Sequence, residues 1–187
     1  MFVLTAIALG VALAMDAFSV SVVNGLNEPN MRKRKFILIP LVFAIFQFLM
    51  PLVGYICVHT LAENFEVFAK AAPFIGFALL LIIGTKMILE GALKKDEGAV
   101  ITSVFMLLVQ GIATSIDALS VGFAIENYTF LEAIISCIII GVLTFIICIL
   151  GVIIGKKIGD KLNSKATIVG GIILIIIGII ILVKALI

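Results

Sequence analysis

Two carboxyl groups stand where carboxyl groups are expensive. Asp16 and Asp117 each interrupt an apolar run long enough to cross a bilayer, and an aspartate at that depth costs at least about 2.5–3.5 kcal/mol to insert. Residues three and four apart share a helical face. Asp117 therefore lines up with Thr114, Ser120 and Gln110, and Asp16 with Ser19 and, further along, Thr5. Gln47 is the amide deep in the second run, with Met50 on its face. Pro51 has no N–H to donate, so it frees a carbonyl in the preceding turn. The matching face of the fifth run offers Thr144 and Cys148. Carboxylate, amide, hydroxyl and carbonyl oxygens suit a hard divalent cation. A thioether or thiol in addition tilts the preference toward a transition ion such as Mn²⁺. The candidate cation ligands are Asp16, Asp117, Gln47, Ser19, Ser120, Thr114 and Met50. Two aspartates neutralise one divalent cation. Once it leaves, the two buried like charges repel, and the pair would take up protons. Exchanging one M²⁺ for two H⁺ moves no net charge, and so avoids about 2.3 kcal/mol per charge per 100 mV.

Composition says what must position these groups. Of 187 residues 64% are hydrophobic and 13% charged, with a mean hydropathy of +1.39. A soluble domain is about half apolar and about a quarter charged. A water-soluble enzyme, a disordered chain and a nucleic-acid-binding module are thereby excluded. Cys57, Cys137 and Cys148 have neither disulfide-framework nor zinc spacing. A bilayer core takes roughly 20 apolar residues of helix, which predicts six spans at 2–24, 36–58, 67–91, 100–124, 129–154 and 167–187. The expected breaks are Glu28-Pro29-Asn30, Glu63 to Glu66, Lys94 to Gly98, Glu126-Asn127 and Lys156 to Lys165. The first run is long, lacks a basic start and carries an Asp, so it is expected to be retained rather than cleaved as a signal peptide. With the N-terminus outside, the inner loops hold ten Lys and Arg and the outer side two, Lys70 and Lys184. That bias predicts both termini outside. The fold class is an all-α integral membrane protein.

The chain also repeats. Met15-Asp16-Ala17-Phe18-Ser19-Val20 and Ile116-Asp117-Ala118-Leu119-Ser120-Val121 share four of six positions at an offset of 101. Gln47 to Gly54 can be laid on Thr144 to Gly151 at 97, and Gly76 to Gly84 on Gly170 to Gly178 at 94. The expected organisation is six helices in two three-helix repeats, residues 1–95 and 96–187. An odd number of spans forces the second repeat to enter from the opposite side, the inverted plan of many secondary transporters. A pseudo-twofold axis in the membrane plane would then bring Asp16 and Asp117 together near the bilayer centre.

Other polar groups have plainer readings. Lys86 and Glu90 lie four apart near the inner end of the third span and are an ion pair or gate candidate. His59 is expected at the outer interface, with Glu63, Glu66, Glu126 and Glu132 making an acidic outer face. Gly25 is expected to cap the first helix, and the glycines inside the spans to mark close helix packing.

The order of these motifs resembles the bacterial manganese efflux pump (MntP) family, in the lysine-exporter superfamily. The resemblance rests on Met15-Asp16-Ala17-Phe18, Phe46-Gln47 with Met50-Pro51-Leu52-Val53-Gly54, Gly84-Thr85-Lys86-Met87-Ile88-Leu89-Glu90, and Ile112 through Gly122. It covers essentially the whole chain. It implies a six-helix Mn²⁺ exporter of the plasma (inner) membrane, with functional candidates at Asp16, Gln47, Lys86, Glu90 and Asp117. Tyr55 and Asn24 depart from residues common at those places in the family, and some members have Glu at the Gln47 position. The expectation is a transporter and not an enzyme, without cofactor, carrying Mn²⁺ against H⁺ within the lipid bilayer and binding no nucleic acid. The rivals are export of another divalent cation, an intramembrane aspartyl protease and a structural membrane subunit. The protease is disfavoured by the contexts Ala14-Met15-Asp16 and Ser115-Ile116-Asp117, and an amino-acid exporter by the lack of a buried Arg. No nucleotide-binding loop is present, so ion gradients are the expected drive.

Overall fold

The computed structural model describes residues 2–60, 62–92, 104–162 and 166–186. They form six α-helices and, among the described residues, no strand. The helices are α1 Phe2–Asn27, α2 Lys33–Thr60, α3 Ala62–Ala92, α4 Val104–Ala124, α5 Phe130–Leu162 and α6 Ala166–Leu186. Four stretches are long and apolar enough to cross a membrane: Phe2–Asn27, Lys33–His59, Val104–Gly122 and Phe130–Gly159. On α3 and α6 the described apolar stretches are shorter, Phe74–Leu89 and Thr167–Val183. The chain is a multi-pass, all-helical membrane protein.

Several expected breaks move. Glu28 to Asn30 does end α1, and the turn at 125–127 includes Glu126-Asn127. Glu63 to Glu66, expected as a loop, lies in the first turns of α3. Lys156, Lys157 and Lys161 lie on α5. Lys and Glu are good helix formers, so the helices run past their apolar stretches. Lys94 to Gly98 lies outside the described residues. Gly25 does not cap α1, which continues through Asn27. A Cβ there would strike the backbone of Val152 and Lys156, so it is a packing glycine. The start of α5 carries a reciprocal cap, with Thr129 N–H donating to Glu132 Oε2 at 2.9 Å and Glu132 N–H to Thr129 Oγ1 at 3.4 Å.

Helix packing alternates between the halves of the chain. The principal contacts of α1 are with α5, those of α2 with α4 and α5, and those of α3 with α6, while α1 and α2 scarcely meet. Glycines set the closest approaches. Gly54 on α2 packs on the Leu119 carbonyl and Gly122 of α4. Gly151 on α5 packs on the Phe18 carbonyl and Ser21 of α1. Gly84 and Gly171 pack on each other's carbonyls between α3 and α6. The outward faces of α1 and α4 are apolar: Val3, Leu4, Ile7 and Val11 on one, Val104, Phe105, Leu108 and Ile112 on the other. Leu4 is 75% exposed and Phe105 76%. The interior holds Val20, Val23, Ile39, Phe43, Leu80, Leu107, Val152 and Leu174, drawn from all six helices.

Candidate cation site

Gln47 organises the centre of the bundle. It is fully buried on α2, seven positions before the tight Gly54 crossing. Its Nε2 donates to the Leu13 carbonyl of α1 at 3.3 Å and to the Thr114 carbonyl of α4 at 3.2 Å. One side chain from α2 therefore clamps two helices that otherwise meet sparingly. Leu13 and Thr114 differ by 101 positions, the offset that relates Asp16 to Asp117. Each aspartate follows its clamped carbonyl by three residues, nearly one turn, on the same helical face. The clamp uses the two hydrogens of the amide. Its Oε1 is buried with no protein hydrogen-bond partner. Pro51 also removes the N–H that would bond the Gln47 backbone carbonyl within α2.

Asp16 and Asp117 are both half-buried. Asp117 Oδ1 accepts from the N–H of Ala118 at 2.9 Å. Thr114 is buried, and its hydroxyl bonds back to the Gln110 and Gly111 carbonyls at 2.9 and 3.3 Å. Ser19 does likewise to Met15 O at 2.9 Å. A hydroxyl that donates to its own helix keeps its lone pairs and can still accept or ligate. Ser120 lies exposed on α4. Met50 packs against an apolar cluster that includes Leu13, Tyr55, Ala118 and Val121. Lys86 is exposed on α3, and Glu90 lies one turn beyond it on the same helix. Among the described residues no group of three or more His, Cys, Asp or Glu is placed to hold a metal.

Two features escaped the sequence reading. Asn24 Nδ2 donates to Gln110 Oε1 at 2.8 Å, both side chains buried, and this is a second link between α1 and α4. Helical periodicity puts Gln110 on the Asp117 stripe and leaves Asn24 without an assigned neighbour. Their meeting depends on how α1 crosses α4, which periodicity does not give. Near the C-terminal end of α2, Tyr55 Oη donates to the Tyr128 carbonyl at 2.8 Å, and the His59 ring lies against that of Tyr55 with centroids 4.4 Å apart. His59 Nδ1 also lies 2.9 Å from the Tyr55 carbonyl. At the opposite end, Lys35 pairs with Glu28 at 2.7 Å and Lys156 sits over the Phe36 ring at 5.8 Å.

Residues 30–182 match a family model, Mntp, described as "Putative manganese efflux pump". Among curated proteins the chain is similar to "Putative manganese efflux pump MntP" of Methanosphaera stadtmanae, 42% identical over 178 residues, covering 94% of this chain and 96% of that protein. The protein of the same name from Methanobrevibacter smithii is 43% identical over 176 residues, 92% of each chain. That of Clostridium perfringens is 39% identical over 209 residues, 98% of this chain and 95% of that protein. No solved structure matches the chain.

Proposed function

The chain belongs to the Mntp manganese efflux pump family, and from that membership we propose that it exports Mn²⁺ from the cell across the plasma membrane, using Asp16 and Asp117 as paired ligands near the bilayer centre. The family is one of transporters, not enzymes. The observation that supports the site is the Gln47 clamp. It joins α1 and α4 at carbonyls one turn before each aspartate, and it leaves an unpartnered amide oxygen beside them. Carboxylate oxygens supply the charge; Gln47 Oε1, Thr114 and Ser19 supply neutral oxygens of the kind a hard cation takes. Ser120 and Met50 belong to the outer shell of this reading, and Lys86 with Glu90 to a gate on α3.

The inverted repeat is supported by paired crossings. Gly54 meets Leu119, and Gly151 meets Phe18. The glycines differ by 97 positions and their partners by 101, the two offsets seen in the sequence. The exposed faces of α1 and α4 correspond at the same offset, Leu4 with Phe105 and Ile7 with Leu108. All six helices cross the membrane in this reading, with both termini outside. Because α1 and α4 then run in opposite directions, their shared clamp near mid-depth gives a site that either side can reach by rocking. Return of the emptied carboxylates carrying two protons drives export without net charge movement.

The test is export itself. In a Mn²⁺-sensitive, efflux-deficient cell the native chain restores growth and lowers cell manganese. A native chain that does neither, though correctly inserted, overturns the reading. Vesicle flux with Mn²⁺, Ca²⁺, Fe²⁺, Zn²⁺ and Cd²⁺ then ranks the cargo.

A further inference from the structure

We propose that the Thr144 hydroxyl is a further cation ligand, which stands opposite Gln47 and sets the preference for hard over soft metals. This deepens the site just described and rests on it. Thr144 lies on α5 and is fully buried, and its Oγ1 has no protein hydrogen-bond partner. A helical hydroxyl can turn back to a carbonyl of the preceding turn. Ser19, Thr114 and Ser115 all do so, at 2.7–2.9 Å. Thr144 has the same option and does not take it.

Its position explains where the oxygen is available. Gln47 and Thr144 differ by 97, as do Gly54 and Gly151. Each precedes its glycine by seven residues, two turns, so both lie on the glycine-bearing face. Between them the central helices touch at Gly141, whose Cβ would meet the Ala44 carbonyl at 3.2 Å and Phe48 Cβ at 3.2 Å. Ala44 and Gly141 are again 97 apart. Gln47 and Thr144 thus flank a shared contact, each one turn from it along its own central helix. Gln47 reaches the Leu13 and Thr114 carbonyls, and these two carbonyls exchange places under the repeat. Under the inverted repeat proposed above, Thr144 takes the place relative to this pair that Gln47 takes on α2. The two repeat-related positions both carry an unpartnered buried oxygen, an amide on α2 and a hydroxyl on α5. Ser136 on α5 and Ser21 on α1 are also unpartnered. Ser136 lies two turns away from Thr144, and Ser21 lies against Cys148, so neither shares that relation.

The experiment is Mn²⁺ flux into proteoliposomes holding the full chain, with the half-saturating concentration and maximal rate measured separately. Thr144→Val keeps the shape and removes the oxygen. It is expected to raise half-saturation about tenfold or more, with a thermal unfolding midpoint no lower than native, because no hydrogen bond is lost. Thr144→Ser restores the oxygen and should lie within about threefold of native. Thr144→Cys offers a soft donor and should raise the Cd²⁺ to Mn²⁺ rate ratio about tenfold, a gain that an unfolded protein cannot give. Ser136→Ala is the control and should behave as native. Native half-saturation in Thr144→Val, an unchanged metal ratio in Thr144→Cys, or an equal loss in Ser136→Ala overturns the proposal. Asp16→Asn and Asp117→Asn in the same vesicles separate the failures. If they are inactive while Thr144→Val is native, only the Thr144 assignment falls; if they too are native, the underlying site falls.

Discussion

At the scale of single residues, the account turns on buried oxygens that lack partners and on two half-buried carboxyl groups. Leaving a buried acceptor unsatisfied costs roughly 1–3 kcal/mol, yet Gln47 Oε1 is left so while its Nε2 makes two bonds. Gln47→Leu removes both bonds and the spare oxygen. It should destabilise the bundle by about 1–3 kcal/mol and weaken Mn²⁺ export, whereas Gln47→Glu keeps an oxygen pair and should retain more export than the leucine variant. Thermal unfolding and vesicle flux check the two effects independently. Asp16→Asn and Asp117→Asn keep shape and lose charge. Each should abolish Mn²⁺ resistance in an efflux-deficient cell while membrane insertion, followed by immunoblot, is unchanged. Full resistance in either variant contradicts the paired site. Both aspartates, and Gln47 beside Pro51, were legible in the sequence because polar residues are conspicuous in apolar runs. The Asn24–Gln110 bond was not, since nothing local ties residues 86 positions apart.

At the scale of helices, close backbone approach seats the helices on one another, and the few buried polar links add to it. Lipid is as apolar as the side chains, so van der Waals contact and small residues drive association. Gly54 and Gly122 seat α2 on α4, and Gly151 and Gly155 seat α5 on α1. Gly151→Val would press a branched side chain on the Phe18 carbonyl, where a Cβ alone already comes to 2.8 Å. Displacing α5 in this way should lower the unfolding midpoint by several degrees and halve export or worse. Gly54→Val should do the same at the related crossing. A variant with native stability and flux would show that these crossings do not position the site. Hydropathy alone located all six helices to within a few residues at most ends. It missed that α3 begins at Ala62 and that α5 runs to Leu162, because apolar length measures a bilayer and not a helix. The expected cap at Gly25 failed for a related reason: a glycine near the end of an apolar run is equally useful as a contact, and only the position of α5 decides between them.

At the scale of the whole molecule, the interleaving of α1 with α5 and of α2 with α4 ties each half of the chain to the other. Rocking of the halves would then have to pass through the clamp at Leu13, Gln47 and Thr114. The charge bias of ten inner against two outer basic residues predicts that reporter fusions at both termini are active only outside the cell; activity inside would invert the proposed direction of the repeats. Electroneutral exchange predicts that an opposing pH gradient accelerates Mn²⁺ flux, while a membrane potential alone leaves it unchanged. A flux that follows the potential would instead mean net charge movement. The most direct measurement of the central claim is Mn²⁺ binding to the purified chain by loss of the free-ion paramagnetic signal. The account predicts one Mn²⁺ bound per native chain and no binding in Asp16→Asn or in Asp117→Asn. Undiminished binding in either variant would contradict it.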